Sequence, residues 1–422
     1  MQDGCLNNSS VTTSQKTIAV AVAALSIVTA GSFTTLSGLL TTELSNTLNW
    51  STSTTAVGVA LNMAMYGAAA PFGLHAMERF GIRRVTVCAL LLLIFGSSLC
   101  LLGQPLLFNL AWGVIVGIGC GTLTMAYGAF IARLWFERTG TATGFLTAAA
   151  VTGQFALLPF WAWMSDLYGW RTSLIGSSAL ALIAIAANLV FLGPRFSGID
   201  AISRRYLDKT IRLNDMLRTV KLAVSQPVFW IIALHFAMCG ATTNGLMWSN
   251  FTPAANDQGL STASASMVLL LIGVFNIPGT IASGWFTDRM SNRRILSFTF
   301  ICRAMTLLSL PVILGANLDW RLGLFGVVFG IFDVSTVPPV IRLCNRVFGD
   351  RGPQIFSWIN VSHQLGAGAA ALVGSGIKLY TGSFEPLWFV AAGTCLTAAV
   401  LVYTSQYRPI AGSSNAAMAN AA

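Results

Sequence analysis

Apolar runs of about 20 residues recur twelve times along the chain, most of them separated by short polar connections. Each run can cross a hydrocarbon core of about 30 Å as a helix rising 1.5 Å per residue. The runs cover 17–40, 52–76, 85–103, 106–132, 140–163, 172–193, 227–250, 262–286, 295–315, 320–345, 354–378 and 385–404. The 422 residues are 55% hydrophobic and 9% charged, whereas soluble domains carry about 25% charged residues. No aqueous fold hides that much apolar surface, and in lipid a helix satisfies its own backbone polar groups. The chain therefore reads as an all-α membrane protein with twelve transmembrane helices, here called spans 1 to 12.

A formal net charge of +10 raises the question of a nucleic-acid partner. The placement of the charge answers it. Twenty of the 24 lysines and arginines fall in the loops that share a side with both termini, and only Arg171, Arg321 and Lys378 fall in the opposite set. Such an asymmetry is a signal of membrane orientation. It sets both termini in the cytoplasm and needs no nucleic acid. The polar segment "MQDGCLNNSSVTTSQK" precedes a run too long for a signal peptide, so span 1 is expected to be retained. The eight cysteines are scattered, with no CxxC pair and no histidine at ligand spacing. Neither a disulfide framework nor a metal site is expected, and no cofactor.

The longest polar interruption, 194–226, is basic and follows six spans. It divides the chain into an N-terminal six-helix bundle (1–193), a cytoplasmic linker (194–226) and a C-terminal six-helix bundle (227–422). The halves repeat in one register. "ERFGIRR" (Glu78 to Arg84) follows span 2 and "DRMSNRR" (Asp288 to Arg294) follows span 8, while "RLWFER" (Arg133 to Arg138) after span 4 matches "RVFGDR" (Arg346 to Arg351) after span 10. Self-similarity of this kind marks a parallel duplication.

Twelve spans, a six-plus-six duplication, a basic middle loop and [DE]-R-x3-R-R after spans 2 and 8 resemble the major facilitator superfamily. Within it, the C-terminal half is similar to bacterial transporters near the monocarboxylate and oxalate:formate group. Span 5 has Gly144 and Gly153 at the spacing of the drug-antiporter motif, with Gln154 in place of its proline. The resemblance implies two pseudo-symmetric six-helix bundles in a bacterial inner (cell) membrane. A cavity is lined by spans 1, 4, 7 and 10, with spans 3, 6, 9 and 12 as outer scaffold. It also implies a cytoplasmic latch built from Glu78, Arg79 and Arg83 in the first copy and Asp288, Arg289 and Arg293 in the second. There an acid at a helix end holds neighbouring arginines in one state and releases them in the other.

A charge at mid-bilayer is costly and needs a partner or a purpose. Two residues stand out, Arg303 on span 9 and Asp333 on span 10. Arg303 lies roughly 12 Å from the cytoplasmic end of its span, and Asp333 roughly 20 Å from the opposite end of its own. Their depths agree, so an ion pair is expected, either fixed or opening during transport. The resemblance makes Asp333 the cavity residue and Arg303 its brace. "INVSHQLG" gathers Asn360, His363 and Gln364 on span 11. A histidine there titrates near physiological pH and is a candidate for proton or anion contact. His235 and Asn244 on span 7, Tyr66 on span 2, Tyr127 on span 4, Gln154 on span 5 and Asn276 on span 8 complete the polar set. Such groups either glue helices together or touch a substrate.

The expected function is secondary transport by alternating access, as symport of a small organic anion of the monocarboxylate class with protons. An exporter of neutral or amphipathic compounds and a nutrient sensor of the same fold are the alternatives. An enzyme is not expected, since no nucleophile–base pair or metal-ligand set appears at suitable spacing.

Overall fold

The computed structural model describes residues 13–127, 149–191 and 213–407, and helices account for nearly all of them. Before the linker lie α1 (Thr13–Leu48), α2 (Thr52–Phe80), α3 (Ile82–Cys100), α4 (105–127), α5 (Leu158–Tyr168, preceded by a helical piece at 149–155) and α6 (Arg171–Phe191). A short α7 (Leu213–Val224) follows. Then come α8 (Pro227–Asp257), α9 (Thr262–Thr287), α10 (Asn292–Ile313), α11 (Trp320–Asp333), α12 (Val337–Phe348), α13 (Gly352–Thr381) and α14 (Glu385–Thr404).

Helix starts follow local chemistry. Ser51, Ser261 and Asp319 each accept a hydrogen bond from the backbone N–H three residues on, satisfying a donor that the first turn leaves free. Outward faces are apolar: Ile175 and Ile183 on α6, Phe298 and Met305 on α10, and Phe389 and Val400 on α14 are all exposed. In water such faces would drive aggregation, but against lipid they cost nothing.

Ten of the described helices are long and apolar enough to cross a membrane. Span 5 is described only in part. α13 has 30 residues but is not among the ten, because His363, Gln364 and a run of glycines and alanines dilute its apolarity. It runs along α2 from end to end. Ser375 Oγ donates to the Thr52 carbonyl at 3.3 Å, Gly67 receives Gln364, and Phe72 meets Trp358 edge to face at 5.8 Å. α1 lies against α8, where Gly38 faces the Trp248 carbonyl. Thr41, Asn250 and Ser375 are buried, with Thr52 half-buried beside them, where α1, α2, α8 and α13 converge, at the end opposite the basic loops.

Two spans depart from regular helix. α4 and α8 pass through π-helical stretches, at Ala111–Val116 and Thr122–Tyr127 in α4 and at Ala241–Asn250 in α8, a feature that clusters at functional sites. Span 10 is not one helix but two, α11 and α12, joined at 334–336.

Candidate functional site

The joint in span 10 follows from "DVSTVPPV". Pro338 and Pro339 have no N–H for the carbonyls of Val334 and Ser335, and their rings clash there, so α11 stops. α12 restarts at Val337, with the prolines in first-turn positions where no intrahelical donor is needed. A helix that ends inside a membrane leaves carbonyls that cannot turn to water, and here those from Ile331 to Thr336 find donors. The Ile331 carbonyl accepts from the Ser335 hydroxyl and the Ser335 carbonyl from the Ser283 hydroxyl. Val337 N–H donates to Val334 O and Val340 N–H to Thr336 O. Arg303 takes the other two: its Nη2 donates to Phe332 O at 2.7 Å and to Asp333 O at 2.6 Å.

Arg303 and Asp333 thus come together as their depths require, but the contact corrects the expected one. The guanidinium binds the backbone of Asp333, not its carboxylate, and no ion pair joins them among the described residues. The physical reason is the joint: it leaves two carbonyls at the negative end of α11 without an intrahelical donor, and the guanidinium meets both. Nη1 is spent on α8, donating to Cys239 Sγ at 3.4 Å and Thr242 Oγ1 at 3.3 Å. Phe300 packs at 5.4 Å from the guanidinium carbon, and the side chain is 0% exposed.

Asp333, 5% exposed, is held from α9 instead. Asn276 Nδ2 donates to Asp333 Oδ2 at 2.8 Å, and Asn276 Oδ1 accepts from Val334 N–H at 2.9 Å. Asp333 Oδ1 has no hydrogen-bond partner among the described residues. Arg303, Cys239 and His363 are the ionisable side chains near this carboxylate. His363 on α13 is 8% exposed, packs against Phe236 at 4.6 Å and lies beside the Cys239 thiol, and its Nδ1 has no partner among the described residues. Cys239 also meets Thr336 Oγ1 of the joint at 3.1 Å. One cluster therefore draws on α8, α9, α10, α11 and α13.

The other candidates lie elsewhere. His235 points away from the cluster, with Nδ1 at 2.9 Å from the Ile231 carbonyl and its ring against Tyr407, a packing role. Tyr66 OH accepts from Thr124 Oγ1 at 2.7 Å and ties α2 to α4. The backbone carbonyl of Gln154 accepts from Thr35, joining span 5 to α1. Gln364 is buried against Gly67 with Oε1 unpartnered among the described residues, and Asn360 is buried a turn before it. Asn244 is half-buried in the π-helical part of α8. The side chains of Tyr127 and Glu78, and Gly144, lie outside the described residues.

The latch arginines meet carbonyls and ring faces. Arg289 stacks on Trp285 at 3.8 Å and donates to its carbonyl at 3.1 Å, Arg293 reaches Ser405 O at 3.4 Å, and Arg83 reaches Leu189 O at 3.5 Å. Arg79 lies over Phe80, and Asp288 is exposed at the end of α9 with no ion pair among the described residues. Asp288 makes no ion pair with an arginine among the described residues, and the Glu78 side chain lies outside them. Carbonyls and ring faces at the helix ends lie closer and take the guanidinium groups.

Sequence signals for Asn276 and Arg303 were legible. The carbonyl-capping role was not, although Pro338 and Pro339 mark the joint that creates it.

Comparison with known proteins gives this arrangement a family. An MFS-type transporter of Bacillus subtilis, YcxA, is 25% identical over 301 residues, covering 67% of this chain and 68% of its own. Monocarboxylate transporter 13 of Rattus norvegicus is 21% identical over 296 residues, covering 69% of this chain and 65% of its own. The inward-open structure of the xylose transporter XylE from E. coli superposes with a TM-score of 0.70 at 15% identity, over 94% of this chain and 97% of that one. That likeness shows the fold. Residues 22–371 match the Major Facilitator Superfamily, and the chain belongs to it.

Proposed function

We propose that this chain moves a small organic anion of the monocarboxylate class, in symport with protons, by alternating access. As a member of its family it is an integral membrane transporter of small molecules and not an enzyme. In the proposed cycle the bundles 1–193 and 227–422 rock about the mid-membrane cluster, with the linker 194–226 and both termini in the cytoplasm. The carrying observation is the pair of buried atoms Asp333 Oδ1 and His363 Nδ1, neither with a hydrogen-bond partner among the described residues, on two side chains that both interact with Cys239. A carboxylate oxygen left unpaired in a membrane interior is costly, and taking up a proton there relieves the cost. His363 supplies a donor for a carboxylate cargo when it is protonated. The monocarboxylate transporter among the relatives supports the cargo class.

Export of neutral or amphipathic compounds is favoured by a different observation. Arg303, the one mid-span cation in the sequence, has both terminal nitrogens engaged by carbonyls, a thiol and a hydroxyl, which leaves only its buried Nε without a partner among the described residues and no terminal nitrogen for an anion. Uptake of labelled monocarboxylates into proteoliposomes separates the two readings. Uptake is expected to rise about tenfold under an inward gradient of one pH unit. Asp333→Asn is expected to abolish that response while leaving a folded protein. No response across a broad panel of acids, with export of hydrophobic dyes instead, overturns the anion reading.

A further inference from the structure

We propose that Asn276 is the positioning residue that couples the charge on Asp333 to the joint between α11 and α12. The inference rests on the reading of Asp333 as the group that takes up the proton. It starts from one stripe of α9. Ile272, Asn276, Gly279 and Ser283 recur at helical spacing and all face span 10. Ile272 meets Gly330, Gly279 meets the Ile331 carbonyl so closely that no Cβ fits, and Ser283 donates to Ser335 O. Asn276 sits between them and touches both sides of the joint with one amide. Its Nδ2 holds Asp333 Oδ2, the last residue of α11, and its Oδ1 holds Val334 N–H, the first residue beyond it.

The two bonds are linked by chemistry. While Asp333 is ionised, Nδ2 makes a charge-assisted hydrogen bond that fixes the orientation of the amide, and this holds Oδ1 on Val334 N–H. When Asp333 Oδ1 takes a proton from solvent, the carboxyl becomes neutral and the bond to Nδ2 weakens. The amide then turns more freely and its hold on Val334 loosens. Arg303 does not release in this step, because its partners are carbonyls whose charge does not change. The titratable groups facing Asp333 are Arg303 from α10, Cys239 from α8 and His363 from α13, and α9 contributes the uncharged Asn276. Of these contacts, only the one through Asn276 reaches across the joint to a backbone N–H.

The test needs no identified cargo. Val334→Cys leaves the backbone N–H in place, and its alkylation by N-ethylmaleimide in liposomes, followed by peptide mass spectrometry and normalised to a free thiol, reports opening of the joint. Between about pH 8 and about pH 5.5, a range that spans perturbed carboxyl titrations, the normalised rate is expected to rise about fivefold, the change one hydrogen bond makes to an opening equilibrium. In Asp333→Asn it is expected to be high and flat, and likewise in Asn276→Ala. Asn276→Ser, too short to reach both partners, serves if the alanine variant does not fold, with the same flat profile expected. A pH response kept intact in the Asn276 variants but lost in Asp333→Asn overturns the coupling role of Asn276 alone. A response that survives Asp333→Asn overturns the reading of Asp333 as well. A flat profile in the Val334→Cys parent overturns the coupling and leaves Asp333 to be judged by the uptake assay.

Discussion

Arg303→Gln will lower the thermal midpoint sharply, and adding Asp333→Asn to it will not restore stability. The expected loss is about 3 kcal/mol or more, since each hydrogen bond to a charged group is worth about 1.5–3 kcal/mol and the guanidinium makes four hydrogen bonds in all. Were Arg303 neutralising the Asp333 carboxylate, removing both charges together would relieve the lone charge left by either change alone. Its partners, however, are the carbonyls of Phe332 and Asp333, which Asp333→Asn leaves in place. Arg303→Lys should recover part of the loss, because an ammonium can reach the carbonyls but cannot also span to Cys239 and Thr242 as a planar fork does. Scanning fluorimetry of the single and double variants in one detergent checks this, and full recovery in the double variant would restore the ion-pair account.

Gly240→Val will be the most damaging change on α8 outside the polar cluster. A Cβ on Gly240 runs into the His363 carbonyl, and a Cβ on Gly366 runs into the Ala237 carbonyl, so the two helices approach backbone to backbone through a reciprocal pair of glycines. A helix carbonyl cannot retreat as a flexible side chain can. The expected cost is about 3 kcal/mol, the upper end of the range for overpacking, together with displacement of His363 from Cys239. Gly376→Ala on α13, where nothing lies within 4 Å, is the matched control. It is expected to be neutral or to stabilise by up to about 1 kcal/mol, since alanine is the better helix former. Equal losses at both positions would refute close packing as the cause.

Much of this was legible in the chain. Apolar runs of membrane-crossing length gave the helices, because in lipid the backbone leaves no cheaper choice. The depths of Arg303 and Asp333 placed them at one level, because helical rise is constant. What depth could not give is which atom of Asp333 the guanidinium meets. That depended on the joint at 334–336, which the apolar run conceals although Pro338 and Pro339 announce it. His235 and His363 look alike as lone polar residues in apolar runs. Each keeps one ring nitrogen without a partner among the described residues, and only packing separates them: His235 meets the Ile231 carbonyl and Tyr407, whereas His363 lies beside Cys239. The surroundings of the latch arginines were hidden for a related reason: a motif fixes which charged residues are close in the chain, but not which carbonyl or ring a guanidinium reaches.

The modest apolarity of α13 has a consequence for how the protein is made. A segment that polar gains little from lipid by itself, and a helix at this position is synthesised after ten other spans. Its stable place in the bilayer depends on α2, already inserted, whose surface from Thr52 to Phe72 receives it. Assembly is therefore not local to the last-made half: the eleventh span waits on the second, and a chain from which α2 is deleted would release α13 from the membrane rather than merely unpair it.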